Sequence, residues 1–169
     1  MSRKSNNNME SVYLLLGANV GDCLNNLRIC LTKLSRLGNI KAISSIYQTK
    51  AWGNTDQPDF FNLAVAIETS QAPPQFLKAI QSIEQEIGRV RFEKWGPRMM
   101  DIDILFFGKR IISSENLKVP HPYLPDRRFA LTSLAEIAPN IVHPALKKSV
   151  AELLKECGDI LPVTKLEIE

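Results

Sequence analysis

Apolar positions change their period several times along the chain, and each change marks an element. Val12 to Leu16 is a continuous apolar run ending at Gly17, the pattern of a buried strand that feeds a turn. Asp22 then offers an N-cap to a helix in which Leu24, Leu27, Leu31 and Leu34 recur at helical spacing, with Gly38 as its stop. Ile40 to Gln48 reads as a strand, and Asn62 to Glu68 as another whose Leu63, Val65 and Ile67 share a face. Pro73 and Pro74 open a second helix that turns Phe76, Ile80, Ile83 and Ile87 inward and ends at Gly88. Met100 to Phe107 is the next strand. This order of strand, helix, strand, strand, helix, strand predicts an α+β fold, a ferredoxin-like antiparallel sheet flanked by helices. Beyond it, Arg110 to Ile112 adds an edge strand. Phe129 to Ala138 forms a helix stopped by Pro139, and Ser149 with Glu152 makes a capping box for a short last helix, giving a C-terminal helical extension.

Two stretches fit neither period, Thr49 to Asp59 and Arg89 to Met99. Connections of that length in a compact domain more often carry a site than a simple turn. Residues 1–10 are polar and Asn-rich and read as a disordered tail, which leaves residues 11–169 as one domain. A net charge of +3 is too slight to argue for nucleic acid or a membrane surface. Cys23, Cys30 and Cys157 are odd in number and lack C-x-x-C spacing, so a disulfide framework and a zinc site are both disfavoured. With no leader-like or spanning apolar run, a cytoplasmic location is expected.

Asp101 and Asp103 are two carboxylates two positions apart in an otherwise apolar strand. They share one face, while Ile102 and Ile104 share the other. The pair is either a bridge for divalent metal ions carrying a polyphosphate or a solvent-facing pair on a wet sheet surface. Immediately upstream, Gly88 to Arg98 holds four cations suited to neutralising phosphate charge. Glu84 borders the apolar face of the second helix, where it either orients Arg89 or Arg98 or is an exposed helix glutamate. His121, between Pro120 and Pro122, is a loop histidine that could donate a hydrogen bond to phosphate. His143 suggests no function. Gly17 to Asp22 has a superficial likeness to a phosphate turn but lacks the Walker A ending and the G-x-G-x-x-G spacing.

Asp56-Gln57-Pro58-Asp59-Phe60-Phe61-Asn62, Gly88-Arg89-Val90-Arg91, the run from Trp95-Gly96-Pro97-Arg98 to Asp101-Ile102-Asp103-Ile104-Leu105, and Val119-Pro120-His121 together resemble the 6-hydroxymethyl-7,8-dihydropterin pyrophosphokinases of folate biosynthesis. The resemblance spans about residues 12 to 145. It implies transfer of pyrophosphate from ATP to the pterin hydroxymethyl group with AMP leaving, and two Mg²⁺ ions held by Asp101 and Asp103. It further implies an ATP side of Arg89, Arg91, Trp95, Arg98, His121 and Arg127 over Gln81, Glu84 and Ile104. Arg89, Arg91 and Arg98 join the two aspartates in catalysis. The pterin side would comprise Thr49, Trp52, Phe60, Asn62, Trp95, Asp101 and Phe129, with Phe60 and Phe129 sandwiching the ring and Asn62 bonding its polar edge. Phe60 stands where relatives often have Tyr, Lys94 where many have Arg, and Pro122, Asn116 and Lys118 also depart from the common pattern. The segment Arg89 to Met99 is expected to close over bound ATP and metal.

Two rivals share such a sheet. A nucleotidyl transferase or cyclase would release pyrophosphate in place of AMP, and an RNA-binding module would need exposed aromatics where Asp101 and Asp103 stand. The expected partners are therefore ATP and a reduced pterin, with no nucleic acid and no membrane, and a monomer is compatible with the sequence.

Overall fold

The computed structural model describes residues 8–51, 56–88 and 99–167. Along them run β1 (Glu10–Ala18), α1 (Cys23–Leu34), β2 (Asn39–Ile43), β3 (Tyr47–Thr49), β4 (Phe60–Thr69), α2 (Pro73–Glu86) and β5 (Asp101–Phe107). Then follow β6 (Ile112–Ser113), β7 (Lys118–Val119), a 3-10 turn at Leu124–Asp126, α3 (Arg128–Ile137), α4 (Val150–Glu156) and β8 (Val163–Lys165). Strands β5, β1, β4, β3 and β8 lie side by side in that order, and β2 also pairs with β4. All these pairings are antiparallel. The protein is thus an α+β fold whose sheet is covered on both faces, and no described helix is long and apolar enough to cross a membrane.

Strand alternation divides the interior into two layers. Val12, Leu14, Leu16, Leu63, Val65 and Ile67 face α1 and α2, where they meet Leu27, Leu34, Phe76, Ile80 and Ile83. On the opposite face Leu15, Ala64, Leu105 and Phe106 meet Leu131 and Leu134 of α3 and Val150 and Leu153 of α4. Burying each such leucine or phenylalanine contributes about 1.5–3 kcal/mol, so both layers matter to stability. Between Tyr13 and Leu14 the β1–β5 register slips, leaving Leu105 as an extra residue. The bulge sends both Leu105 and Phe106 to the α3 side before Phe107 returns to the α1–α2 core. It also leaves the Leu105 carbonyl to accept the His121 N–H at 3.0 Å, which pins the segment after β7 to the β5 edge.

Four boundaries differ from the sequence expectation. The tail assigned to residues 1–10 ends sooner, because Glu10 already pairs with Thr69 and its carboxylate takes a forked hydrogen bond from Arg110. The single strand expected over Ile40 to Gln48 is two strands. Ser44 interrupts it by exchanging hydrogen bonds with Ala64 through both its backbone and its hydroxyl, and the Ser45 N–H turns away to Glu136. The edge strand expected at Arg110 to Ile112 begins only at Ile112 and pairs with β7 in a separate small sheet, since Arg110 is engaged with Glu10. Strand β8, too short to show a period, was not expected. It closes the β3 edge, with Thr49 opposite Val163.

The α1 N-cap is as expected, with Asp22 accepting from the Asn25 N–H at 3.2 Å. Gly38 has a different role from that of a helix stop. A Cβ there would lie 2.1 Å from the Glu68 carbonyl oxygen and 3.3 Å from the Thr69 Cα, both backbone atoms of a strand paired on both sides. Gly38→Ala is therefore expected to cost about 2 kcal/mol or more, because neither chain can yield without breaking ladder bonds. Urea unfolding checks this, and an unchanged midpoint would mean that the crossing has slack.

Candidate active site

On the α3 side of the sheet, three strands bring polar residues into one row. Asp101 of β5 lies opposite Gly17 of β1, Gly17 opposite Asn62 of β4, and Asn62 opposite Tyr47 of β3. Directly opposed residues share a face, so the Asp101 and Asp103 carboxylates and the Asn62 amide look toward the same space. Ile102 and Ile104 point the other way into the α1–α2 core, as their alternation with the aspartates requires.

Gly17 matters here through the side chain it lacks. A Cβ at this position would stand 2.6 Å from Asn62 Oδ1 and 3.9 Å from Phe60 Cδ1. The Asn62 amide leans across β1 into that gap, and its Nδ2 donates to Thr49 Oγ1 at 3.4 Å. Thr49 and Asn62 are both buried, and Phe60 is half-buried beside them. Phe129 enters from the first turn of α3 and is also half-buried.

Arg127, at the N-cap of the same helix, faces the carboxylates. Its Nη1 lies 3.8 Å from Asp103 Oδ2, and its guanidinium sits 5.0 Å from the Tyr123 ring centre and 5.9 Å from that of Phe129. Burial pulls its pKa down, against the opposing pull of Asp103 and Asp101. At 11% side-chain exposure it is a cation held in place before any ligand arrives. His121 Nε2 lies 4.0 Å from the same Asp103 oxygen. That contact is not an ion pair at neutral pH: burial and then the Arg127 charge push the imidazole pKa down to about 4, although Asp101 works the other way. Its Nδ1 accepts the Tyr123 N–H at 3.2 Å, which assigns the proton to Nε2. His121 is thus a neutral donor aimed at the carboxylate side of the site.

Glu84 is not an exposed helix glutamate, being only 2% exposed on α2 with its Oε2 3.4 Å from the Ile102 N–H, while the Arg89 and Arg98 of the other reading lie outside the described residues. Gln81 is exposed. The Ile104 side chain is buried in the α1–α2 core, so any nucleotide contact there is left to its main chain. Trp52, Arg89, Arg91, Trp95 and Arg98 lie outside the described residues, as does nearly all of the segment expected to close. The Gly17 to Asp22 segment is no phosphate turn: Gly17 and Ala18 are within β1, and the Asn19 amide donates to Gln57 Oε1 and to the Pro58 carbonyl. His143 caps a turn, its Nδ1 accepting from the Ala145 and Leu146 N–H groups. Tyr123, against the Arg127 guanidinium, was missed; an aromatic four residues before an arginine carries no periodic signal.

Among the described residues no group of three or more His, Cys, Asp or Glu side chains could enclose a metal ion. Two strand carboxylates would nevertheless suit a hard cation that takes its remaining oxygens from phosphates and water, which is how Mg²⁺ is usually held. The buried Arg127 fits a polyanion, and a buried amide beside half-buried phenylalanines fits a flat ring with a polar edge. The α3–α4 layer covers Leu15 and Phe106 on this face, so it offers no open aromatic platform for RNA bases.

Fold and site together place a carboxylate pair, a largely buried arginine and a buried amide on one face of an α+β sheet. Residues 13–139 match the family model described as 7,8-dihydro-6-hydroxymethylpterin-pyrophosphokinase (HPPK). The 2-amino-4-hydroxy-6-hydroxymethyldihydropteridine pyrophosphokinase of Aquifex aeolicus is 42% identical over 148 residues, covering 88% of this chain and 92% of that protein. The Haemophilus influenzae protein of the same name is 39% identical over 153 residues, covering 89% and 95%. Wild-type Plasmodium falciparum HPPK-DHPS, solved with pterin and p-hydroxybenzoate, superposes with a TM-score of 0.70 at 18% identity. That match covers 90% of this chain but only 44% of the longer one, and it bears on the fold alone. The chain belongs to the 7,8-dihydro-6-hydroxymethylpterin-pyrophosphokinase family.

The His121 assignment has a pH signature. Between the ordinary value of 6.5 and about 4 the unfolded chain binds a proton that the folded site refuses, so stability falls as pH drops through that window. Replacing the imidazole removes this contribution. His121→Gln is expected to lose less stability than the wild type between pH 7 and pH 5 in urea unfolding, and parallel losses would contradict a buried neutral histidine.

Proposed function

We propose that this chain transfers a pyrophosphoryl group from ATP to the hydroxymethyl group of 6-hydroxymethyl-7,8-dihydropterin, a step of folate biosynthesis. The observation that carries the reading is the row Asp101–Gly17–Asn62, which puts the carboxylate pair and the Asn62 amide on one sheet face. Family membership and two curated relatives near 40% identity support it independently.

The pterin lies between Phe60 and Phe129, its polar edge against the Asn62 amide, with Thr49 fixing that amide. Gly17 forms the floor, and Trp52 and Trp95 complete this side. The ATP phosphates lie toward Arg127 and His121, with Arg89, Arg91 and Arg98 supplying further positive charge and Gln81, Glu84 and Ile104 beneath the nucleotide. Two Mg²⁺ ions held by Asp101 and Asp103 would supply charge neutralisation that neither carboxylate nor phosphate can provide to the other. The pterin hydroxyl oxygen bonds to the β-phosphorus, the bond from that phosphorus to the α–β bridging oxygen breaks, AMP departs and the hydroxyl proton is released. Arg127 stabilises charge on the transferring group, and His121 donates from Nε2 to a phosphate oxygen. Most of the acceleration comes from positioning, since no covalent intermediate is needed.

The same reading extends to architecture. The one domain expected over residues 11–169 begins at Glu10, with β1 to β5 and their two helices as a ferredoxin-like core and α3, α4 and β8 as its C-terminal extension. The sheet order around β1 and β4 supports this. The free thiols Cys23, Cys30 and Cys157 fit a reducing, cytoplasmic location.

Phosphorus NMR of the chain with ATP, Mg²⁺ and the reduced pterin tests the proposal directly. AMP and the pterin pyrophosphate are the expected products, appearing together. ADP or free pyrophosphate as the primary product would remove the assignment and favour a simple kinase or a nucleotidyl transferase.

A further inference from the structure

Two elements carry residues assigned to the pterin: α3 brings Phe129 and β3 brings Thr49. Seven residues further along α3, Glu136 ties these elements together. Residues seven apart lie on the same helix face, so Glu136 and Phe129 both look toward the β3–β4 side of the sheet. The Glu136 carboxylate accepts the Ser45 N–H at 2.9 Å, the Ser45 hydroxyl at 2.7 Å and the Tyr47 hydroxyl at 2.9 Å. Lys165 of β8 stands 3.9 Å away. Burial opposes the charge on Glu136, yet these donors outweigh it and hold the carboxyl below its ordinary pKa. Tyr47, pushed up to about 12 by burial and by Glu136 itself, remains a donor. Ser45 fills the break between β2 and β3, and Tyr47 is two residues from Thr49 and directly opposite Asn62.

We propose that Glu136 is a positioning residue for the pterin: by drawing Ser45, Tyr47 and Lys165 onto α3, it sets how far Phe129 stands from Thr49 and Asn62 across the slot. This rests on the pterin reading of that slot. The carboxylate itself touches no reacting atom, and its effect is transmitted through β3 and α3.

The test compares Glu136→Ala, Glu136→Gln and Tyr47→Phe in the full chain. Pterin affinity is read by titration with Mg²⁺ and a saturating non-hydrolysable ATP analogue, and affinity for that analogue is read separately by calorimetry. Glu136→Ala is expected to weaken pterin binding about tenfold, with a smaller loss for Glu136→Gln, which keeps one acceptor. Analogue affinity should fall clearly less than pterin affinity, because Arg127, although at the N-cap of the same helix, is also held beside Asp103 and Tyr123. Combined with Tyr47→Phe, the Glu136→Ala loss should shrink, since the two groups act through one hydrogen bond. Unchanged pterin affinity, or equal losses for both ligands, would overturn the proposal; if the alanine variant does not fold, the glutamine variant decides on the same criteria. A wild-type chain that binds the analogue but no pterin removes the slot assignment, and the positioning role falls with it.

Discussion

Asp101 and Asp103 put two like charges about 7 Å apart along one strand. At an effective dielectric near 20 their repulsion is of order 2 kcal/mol, a sizeable fraction of a marginal folding free energy. Arg127 and His121 approach Asp103 at 3.8 and 4.0 Å, and the Arg127 charge offsets part of that repulsion. His121 is held neutral by burial and by Arg127, so it adds no charge of its own. On the proposed reaction, this face receives a cation-bound polyphosphate beside Arg127.

The bulge at Leu105 links this electrostatics to the fold. One extra residue turns Leu105 and Phe106 into the α3–α4 layer and leaves a carbonyl for the His121 N–H. The segment carrying His121 and Arg127 therefore follows the outer edge of β5 up to α3. Across the sheet, the absent Cβ at Gly17 has a parallel consequence: it lets the Asn62 amide lie over β1 toward the carboxylates. Asn62 and the Asp101–Asp103 pair are thus held on either side of β1 in a single antiparallel sheet, and strand register sets the distance between them.

Much of this was legible in the chain. The helical spacing of Leu27 and Leu34, and of Phe76, Ile80 and Ile83, led to the observed core, and alternation around Ile102 and Ile104 put the aspartates on one face. What was hidden depended on partners distant in sequence. Gly17 read as the start of a loop because its need for space is visible only once Asn62 is opposite it. The interruption at Ser44 to Ile46 looked like continuous strand because Glu136, 91 residues from Ser45, competes for its N–H. The bulge at Leu105 left no trace in an unbroken apolar run. Trp52 and Trp95 rest on motif resemblance, and Arg89, Arg91 and Arg98 on it and on the run of cations just before the aspartates.

On the proposed reaction, the Asp101–Asp103 pair is needed for turnover and not for the fold. Turnover and thermal melting of Asp101→Asn and Asp103→Asn, the melts taken without Mg²⁺, test both halves together. Each variant is expected to lose most of its turnover while still folding without Mg²⁺, with Asp103→Asn melting somewhat lower because it removes the carboxylate 3.8 Å from the largely buried Arg127. Near-normal turnover, or a marked loss of stability in both variants, would contradict it.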